Sequence, residues 1–279
     1  MSKVVGLEAF DASLDADGIV ILPPADARRT LEELASLGVE VQTTILDPWY
    51  NKGIGGTRDD YGVFILELLS LAAGVSQHVF LWGFPEIIAR FVERIPPRLE
   101  LVAWLTWYYK NSPSVIRGWR SSQNACLHLS RPGAKLFPQH FLNGAQKEKL
   151  AQGKLRYMPG PTSVIEEPLL CGFVGKSEQM GHPAQKPVAV FQKIILMTTK
   201  KNDLVLDPMS GAGTTGEAAK SLERRAILCD ESEEYTRMSE ERLGVARLGH
   251  SKSKAKGGPD RNRHRDPAIA GGLFDRHGK

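Results

Sequence analysis

Cysteine is scarce in this chain of 279 residues, which carries three of them, Cys126, Cys171 and Cys229. They stand far apart and form no CxxC pair, so the pattern predicts neither a disulfide framework nor a zinc site. Long hydrophobic runs are also missing, since no window of the sequence approaches the roughly 18 consecutive apolar residues of a membrane helix. Residues 1–10 lack the basic and apolar regions of a secretory signal. We therefore expect a cytoplasmic protein without a metal or a membrane partner.

An excess of charge of one sign is missing from most of the chain as well. The net charge of +4 at pH 7 arises at the end of the sequence, where residues 250–279 hold eight basic and three acidic side chains. Residues 1–249 hold 28 basic and 29 acidic side chains. The terminal stretch is rich in Gly, Ser, Lys and Arg, which predicts a disordered basic tail. Any nucleic-acid surface on the remainder must be a local patch.

The chain does contain a repeated alternation of β-branched apolar runs and amphipathic helical patterns, which is typical of βαβ units. The predicted elements are strands at residues 18–22, 41–46, 77–82, 99–107, 124–129, 204–206 and 225–229, and a helix at residues 28–37. These patterns predict one α/β domain over residues 1–249 with a mostly parallel sheet. Residues 131–181 break the alternation with Pro, Gly and charge, so we interpret them as an inserted, substrate-specific segment.

Three of the predicted strands run into polar turns that contain an aspartate: Asp26, Asp47 and Asp207. In open α/β sheets, ligands bind outside the carboxyl ends of the strands. The three turns are therefore expected to share one crevice.

A glycine-rich turn follows Asp207 and opens a predicted helix. Gly211, Gly213 and Gly216 match the G-x-G-x-x-G pattern of dinucleotide-binding proteins, and Asp230 follows about 20 residues later, where it can accept hydrogen bonds from ribose hydroxyls. A nicotinamide-dependent oxidoreductase is therefore one hypothesis. The Asp-Pro between strand and glycines, and room for only one further βαβ unit, favour a ligand with a single ribose instead.

The stretch Asp47-Pro48-Trp49-Tyr50, with Asn51 behind it, resembles the catalytic tetrad of DNA amino-methyltransferases, commonly Asp-Pro-Pro-Tyr. The turn Asp207-Pro208-Met209-Ser210-Gly211-Ala212-Gly213-Thr214-Thr215 resembles their cofactor motif, and residues 181–187 resemble their His-Pro-x-x-Lys-Pro motif. The tetrad precedes the cofactor motif by about 160 residues, as in the permuted β group of these enzymes.

This resemblance implies a Rossmann-like class I methyltransferase fold with helices on both faces of the sheet, in which residues 131–181 form the target recognition segment. It implies S-adenosylmethionine as cofactor, S-adenosylhomocysteine as product and double-stranded DNA as partner, with the target base flipped out of the duplex. A homodimer is compatible with this reading. Leu273 and Phe274, an apolar pair in the basic tail, could dock a partner such as a sliding clamp.

The resemblance implies catalytic roles for Asp47, Pro48 and Tyr50. The lone pair of an exocyclic amino nitrogen is delocalised into the ring, so the site must accept hydrogen bonds from that nitrogen, as the Asp47 carboxylate and the Pro48 carbonyl can do. Tyr50 would stack on the base. The predicted cofactor-binding residues are Asp26, Asp47, His182, Lys186, Pro187, Asp207, Pro208, Ser210, Gly211, Gly213, Thr214, Thr215 and Asp230. The predicted DNA contacts are Lys52, Arg58, Arg117 and Arg120.

The base itself stays open. Asp47 at the first position of the tetrad favours adenine N6 over cytosine N4, while Trp49 replaces the usual second proline and puts substrate choice in doubt. Cytosine C5 methylation needs a nucleophilic cysteine, typically after a proline, and none of the three cysteines follows one. An RNA or a protein amide nitrogen as target, and a non-catalytic DNA-binding or protein-interaction module, remain alternatives.

Overall fold

The structure is a computed structural model that describes residues 18–51, 56–112, 115–116 and 118–249. The strands are β1 Ile19–Ile21, β2 Val41–Leu46, β3 Ser76–Gly83, β4 Glu100–Tyr108, β5 Val115–Ile116, β6 Trp119–Arg120, β7 Gln123–Ser130, β8 Val164–Glu166, β9 Leu204–Asp207 and β10 Arg225–Leu228. The helices are α1 Ala27–Ser36, α2 Tyr61–Val75, α3 Pro85–Ile88, α4 Gly144–Ala151, α5 Val188–Thr198, α6 Thr214–Ser221 and α7 Glu233–Leu243. Short 3-10 turns lie at Ala89–Phe91 and Pro138–Phe141.

One eight-stranded sheet organises these elements, in the order β1-β10-β9-β2-β3-β7-β4-β8. Strands β1, β10, β9, β2 and β3 are mutually parallel. Strand β7 is antiparallel to both of its neighbours, β3 and β4, while β8 is parallel to β4. The predicted α/β fold with a mostly parallel sheet is confirmed.

The parallel part of the sheet brings four turns to one edge, because parallel strands place their carboxyl ends together. Asp26 follows β1, Asp47 follows β2, and Asp230 follows β10. Asp207 is the last residue of β9. The structure thus brings these four carboxylates to one edge of the sheet, where the sequence analysis predicts a shared crevice.

Helices cover both faces of the sheet, as expected. Helices α1 and α2 pack on one face, where Leu31 and Leu68 are fully buried. Helices α5, α6 and α7 cover the other, where Ile195 and Ala218 are buried with Leu243. Strands buried on both faces need not alternate apolar and polar residues, which is why β1 is an apolar run, whereas the central strand β2 also buries Thr43 and Thr44.

Helix α2 is apolar around almost its whole circumference. A helix of this kind is stable only when most of its surface is buried, and α2 packs against the sheet and α1, which leaves one stripe, Val63, Glu67, Ser70 and Gly74, exposed. It begins directly after the loop that follows Asp47, so the most deeply packed helix of this face is tied to the tetrad.

The structure differs from the sequence-based prediction mainly between residues 131 and 181. That segment contains α4 and the strand β8, which pairs in parallel with β4 and so extends the main sheet. Three residues with a single buried side chain, Ile165, give too short a pattern to predict. The other predicted strand boundaries agree within one residue. The predicted tail at residues 250–279, with Leu273 and Phe274, lies outside the described residues, and within the described ranges no helix is long and apolar enough to cross a membrane.

Candidate active site

A cavity of about 300 Å³ opens at the carboxyl edge of the sheet. Its size is at the lower end of the range for small-molecule sites. The predicted site residues that line it are Asp26, Asp47, Pro48, Tyr50, Arg58, His182, Lys186, Asp207, Pro208, Ser210, Gly211, Thr214 and Asp230. Predicted residues from five separate stretches of the chain thus meet around one space.

The tetrad forms a compact polar array with Lys186. The ammonium of Lys186 pairs with Oδ2 of Asp47 and donates a hydrogen bond to the Tyr50 hydroxyl at 2.7 Å. The Tyr50 hydroxyl in turn donates to Oδ1 of Asp47 over a longer 3.3 Å. Burial raises the pKa of Tyr50 well above its ordinary value, so its hydroxyl keeps its proton. The sequence analysis predicts that Lys186 binds the cofactor. In the structure Lys186 lines the cavity and contacts the two polar tetrad residues, Asp47 and Tyr50.

The Tyr50 ring is enclosed rather than open. It meets Phe84 edge-on, with ring centroids 4.6 Å apart, and the residue is 9% exposed. The predicted stacking of a base on this ring would therefore involve its exposed rim or a local rearrangement.

Trp49 lines the cavity, and its ring packs into the helical layer. Its ring packs against Tyr61 and Phe64 at centroid distances of 5.6 and 5.3 Å. Its carbonyl accepts a hydrogen bond from the Tyr61 hydroxyl at 2.7 Å. The indole nitrogen is buried with no hydrogen-bond partner among the described residues.

The loop after the tetrad is closed at its base by Asn51. The Asn51 side chain accepts the backbone N–H of Arg58 at 2.7 Å and donates to the Arg58 carbonyl at 3.2 Å. The Arg58 guanidinium pairs with Asp60 and lies 4.6 Å from the centroid of the Phe64 ring. Arg58 is thereby held at the cavity mouth. Lys52 lies outside the described residues.

The glycine-rich turn is shaped by two residues with positive φ, Gly211 at 50° and Gly213 at 75°. A Cβ on Gly211 would lie 3.1 Å from Nε2 of His182, and one on Gly213 would lie 3.2 Å from Cα of Ser239. Both positions therefore require glycine for conformation and for space. The turn is fixed from outside, because the Ser239 hydroxyl donates to the Gly211 carbonyl at 2.9 Å.

Asp230 is buried beside this turn and accepts two backbone hydrogen bonds at 2.9 Å, from Gly211 and from Ser232. Burial raises the pKa of its carboxyl group. Each oxygen holds one backbone N–H and retains a lone pair, so the carboxylate can still accept from a ligand.

Asp207 is more deeply buried than Asp230. It is 2% exposed, its carboxylate accepts the Thr215 hydroxyl, and it accepts the Met209 backbone N–H at 3.0 Å. Burial raises the pKa of Asp207 to about 7. At neutral pH this group therefore exchanges between its neutral and ionised forms.

His182 lines the cavity beside Gly211. Its ring meets Tyr235 edge-on at a centroid distance of 4.4 Å. Burial lowers the pKa of His182 to about 4, so the imidazole is neutral at pH 7. The neutral ring packs beside the glycine turn and forms one wall of the cavity.

Asp26 also lines the cavity, and its carboxylate is already hydrogen-bonded within the protein. It is the N-cap of α1, accepting the Arg28 backbone N–H at 2.8 Å, and its carboxylate also pairs with the Arg28 side chain at 3.0 Å. The Arg28 hydrogen bond lowers the pKa of Asp26. Its side chain is 40% exposed, so it is accessible despite this pair.

Other predicted residues lie outside the cavity wall. Pro187 is the N-cap of α5, Gly213 is the N-cap of α6, and Thr215 is buried beneath the turn against Asp207. Arg120 is exposed in β6 next to Trp119, which is 83% exposed. Arg117 lies outside the described residues.

A family model of DNA methylases matches residues 41–241 of the chain. The chain belongs to this family. The match runs from β2 through most of α7 and so includes both the tetrad and the glycine-rich turn.

Among curated proteins, this methylase chain is 30% identical over 146 residues to type II methyltransferase M.HpaI of Haemophilus parainfluenzae, covering 50% of the chain and 44% of that protein. It is 42% identical over 69 residues to the DNA adenine methyltransferase YhdJ of Escherichia coli K12, covering 25% of the chain and 24% of that protein. The matched stretches thus span less than half of either relative.

Among solved structures, the M1.HpyAVI–SAM complex matches with a TM-score of 0.62 at 24% identity, covering 81% of the chain and all of that protein. The cytosine-N4-specific PvuII DNA methyltransferase matches with a TM-score of 0.58 at 14% identity, covering 84% of the chain and 90% of that protein. Both share the fold of the methylase chain.

Sequence reasoning missed the residues of α7 that support the site. Arg242 has a 4% exposed side chain, pairs with Glu217, and donates to the Thr214 hydroxyl at 3.1 Å. With Ser239 and Tyr235 it forms one face of α7 turned toward the glycine turn. The helix is rich in charge, which is typical of a solvated surface, so its pattern gave no signal of these contacts.

Proposed function

We propose that the chain is a site-specific DNA methyltransferase that uses S-adenosylmethionine to methylate the exocyclic amino nitrogen of a flipped base, with adenine N6 as the favoured target. The observation that carries this proposal is the meeting of two motifs around one cavity: the Asp47–Tyr50–Lys186 array on one side and the Gly211 turn with Asp230 on the other. Membership of the DNA methylase family supports DNA as the substrate.

The cavity fits the cofactor in shape and charge. Because Gly211 has no side chain, the space next to His182 stays open; a Cβ at this position would lie 3.1 Å from Nε2 of His182. The unused lone pairs of Asp230 suit a ribose diol. Asp207 adds a carboxyl group to the cavity wall, whereas the charge of Asp47 is balanced by the Lys186 ammonium. A buried Asp230 carboxylate with unused lone pairs would be a costly feature in a cavity with no such ligand.

The cofactor supplies a methyl group on a positively charged sulfur, ready for transfer. The protein must then position the target amino group and accept hydrogen bonds from its protons. We assign these tasks to the Asp47 carboxylate and the Pro48 carbonyl, with Tyr50 closing the floor of the base site. The acceptors draw electron density toward the nitrogen, which becomes a better nucleophile as its protons are held.

Adenine is favoured by Asp47 at the first position of the tetrad. The relatives point in both directions, since one similar protein is named an adenine methyltransferase and one similar fold a cytosine-N4 enzyme. The distinction rests on the hydrogen-bonding edge of the base. It therefore has to be measured on product nucleosides.

DNA itself would approach the cavity mouth, where Arg58 is held by Asn51 and Asp60. Arg120 and Trp119 are exposed on β6, which is joined to the carboxyl end of β4 and so belongs to the same edge of the sheet. An exposed arginine beside an exposed aromatic ring suits contact with phosphate and base. We propose these residues as duplex contacts.

The direct test incubates the protein with methyl-labelled S-adenosylmethionine and mixed-sequence duplex DNA, digests the DNA and separates the nucleosides by mass spectrometry. We expect label in N6-methyladenine. Label in N4-methylcytosine would keep the reaction class and change the base, whereas label in RNA or protein alone would refute the DNA assignment.

The matched control is Asp47→Ala, which removes the acceptor for the base. We expect less than about a tenth of the wild-type kcat, a loss above about 1.4 kcal/mol, with cofactor affinity nearly unchanged. Calorimetry with S-adenosylmethionine and with NAD on the wild-type protein completes the test, because tight binding of NAD alone would indicate an oxidoreductase.

A further inference from the structure

Lys186 lines the cavity with a side chain that is only 2% exposed. A buried ammonium is costly unless it is paired and hydrogen-bonded. Here both conditions are met by the tetrad, because the ammonium contacts Oδ2 of Asp47 and the Tyr50 hydroxyl. The ring centroids of Tyr50 and Trp82 lie 5.2 and 5.4 Å from Nζ and add favourable aromatic contacts for a cation.

The two oxygens of Asp47 are not equivalent in this array. Oδ2 is held by the Lys186 ammonium through a charge-assisted bond, the stronger kind. Oδ1 receives only the Tyr50 hydroxyl at 3.3 Å, which is longer than the 2.5–3.0 Å of ordinary O–H···O bonds. An incoming N–H group can displace this weak bond at little cost, while the stronger contact to Lys186 stays in place.

We propose that Lys186 is a positioning residue for the base rather than a ligand of the cofactor: its ammonium fixes the Asp47 carboxylate by Oδ2 and so presents Oδ1 to the target amino group. The inference rests on the proposed function and adds a residue to it. Lys186 also holds the Tyr50 hydroxyl, so it couples the two side chains on either side of the base. Without the ammonium, the carboxylate is free to rotate and the acceptor is no longer preorganised.

The first experiment compares Lys186→Met with the wild-type protein in DNA methylation and in calorimetric binding of S-adenosylmethionine. We expect kcat to fall about 100-fold while the cofactor Kd stays within about threefold. The matched control is Lys193→Met on α5, which removes a lysine paired with Glu167 at 3.0 Å outside the cavity. This control should retain both values. A cofactor Kd weakened about tenfold or more with kcat retained would overturn the proposal in favour of a cofactor role.

Chemical rescue separates charge from packing. In Lys186→Ala, added propylammonium should restore the methylation rate by about tenfold, whereas propan-1-ol, which fills similar space without a charge, should not. Equal rescue by the alcohol would show that Lys186 acts only by filling space, and would overturn the positioning role.

A third measurement does not depend on catalysis. If Lys186 pairs with Asp47, thermal unfolding of Lys186→Met should show a melting temperature lowered by several degrees, because an unpaired carboxylate remains buried. Adding Asp47→Asn should recover at least half of that loss. Additive losses would refute the contact, whereas a wild-type protein without methyl transfer would refute the proposed function and leave this coupling measurable.

Discussion

Replacing Asp207 with Asn should stabilise the protein at high pH and leave it unchanged at low pH. Asp207 is buried, and its two hydrogen bonds come from the Thr215 hydroxyl and the Met209 N–H. An asparagine at this position has nearly the same shape. Its carbonyl can accept the Met209 N–H while its amide donates to the Thr215 hydroxyl, so the change removes the ionisation and keeps the contacts.

The magnitude follows from the pKa. Burial raises the pKa of Asp207 from 3.8 to about 7, which corresponds to up to about 4 kcal/mol between the ionised and neutral forms. Because the pKa is raised on folding, this contribution to stability is fully present below about pH 4 and is lost as the pH rises through about 7. His182 and His128 act in the opposite sense, since burial lowers the pKa of these residues to about 4 and about 3, and their contributions are lost as the pH falls below about 6.5.

Urea unfolding of wild-type and Asp207→Asn proteins at pH 5, 6, 7 and 8, without cofactor, isolates Asp207 because the histidines cancel in the difference. We expect an advantage for the variant of about 1–2 kcal/mol at pH 5, which grows to about 4 kcal/mol at pH 8. The control is Asp203→Asn, an aspartate directly before the same strand whose carboxylate accepts an exposed hydrogen bond. A difference between wild type and Asp207→Asn that does not change with pH would refute the reasoning.

Other substitutions test the turn and the tetrad. Gly213→Ala should lower the free energy of unfolding by about 2–3 kcal/mol in urea, because φ is +75° and the new Cβ meets Cα of Ser239 at 3.2 Å; an unchanged value would refute the strained geometry. Trp49→Phe should change stability by less than about 1 kcal/mol, since it removes an indole N–H that has no partner among the described residues, while Trp49→Ala should cost about 3 kcal/mol of packing against Tyr61. Arg242→Met should lower stability by about 1–2 kcal/mol in the same assay, because it removes the hydrogen bond to the Thr214 hydroxyl and the pairing with Glu217, whose side chain is 45% exposed, and an unchanged free energy of unfolding would show that these contacts do not stabilise the fold.

The parallel part of the fold could be predicted because its strands are rich in β-branched and apolar residues, as in Ile19–Ile21 and Leu204–Asp207. Strand β2 was predicted at its observed boundaries, and its neighbours were predicted within one residue. Strand β8 could not be predicted in this way. It has three residues and derives its stability from pairing with β4, a partner more than fifty residues away in the chain.

The motifs predicted which residues surround the cavity but not how they contact one another. Lys186 and Asp47 are 139 residues apart, and nothing in either motif specifies that the ammonium should touch the tetrad rather than a cofactor. The spacing of residues along the chain predicts where the helices and strands lie. The direction of a long, flexible side chain is decided by the charges that happen to lie within its reach, and these come from other motifs.

Trp49 illustrates how a departure from a motif can be compensated outside it. A proline restrains the backbone of a turn through its fixed φ, and Trp49 lacks that restraint. Here the restraint comes from packing, since the Trp49 ring is held against Tyr61 and Phe64 and its carbonyl accepts the Tyr61 hydroxyl. The positions of Asp47 and Tyr50 on either side therefore depend on α2, the apolar helix that anchors both aromatic residues. The rigidity of this tetrad is thus a property of the helical layer, which explains why a bulky residue can occupy a position where the family commonly has proline.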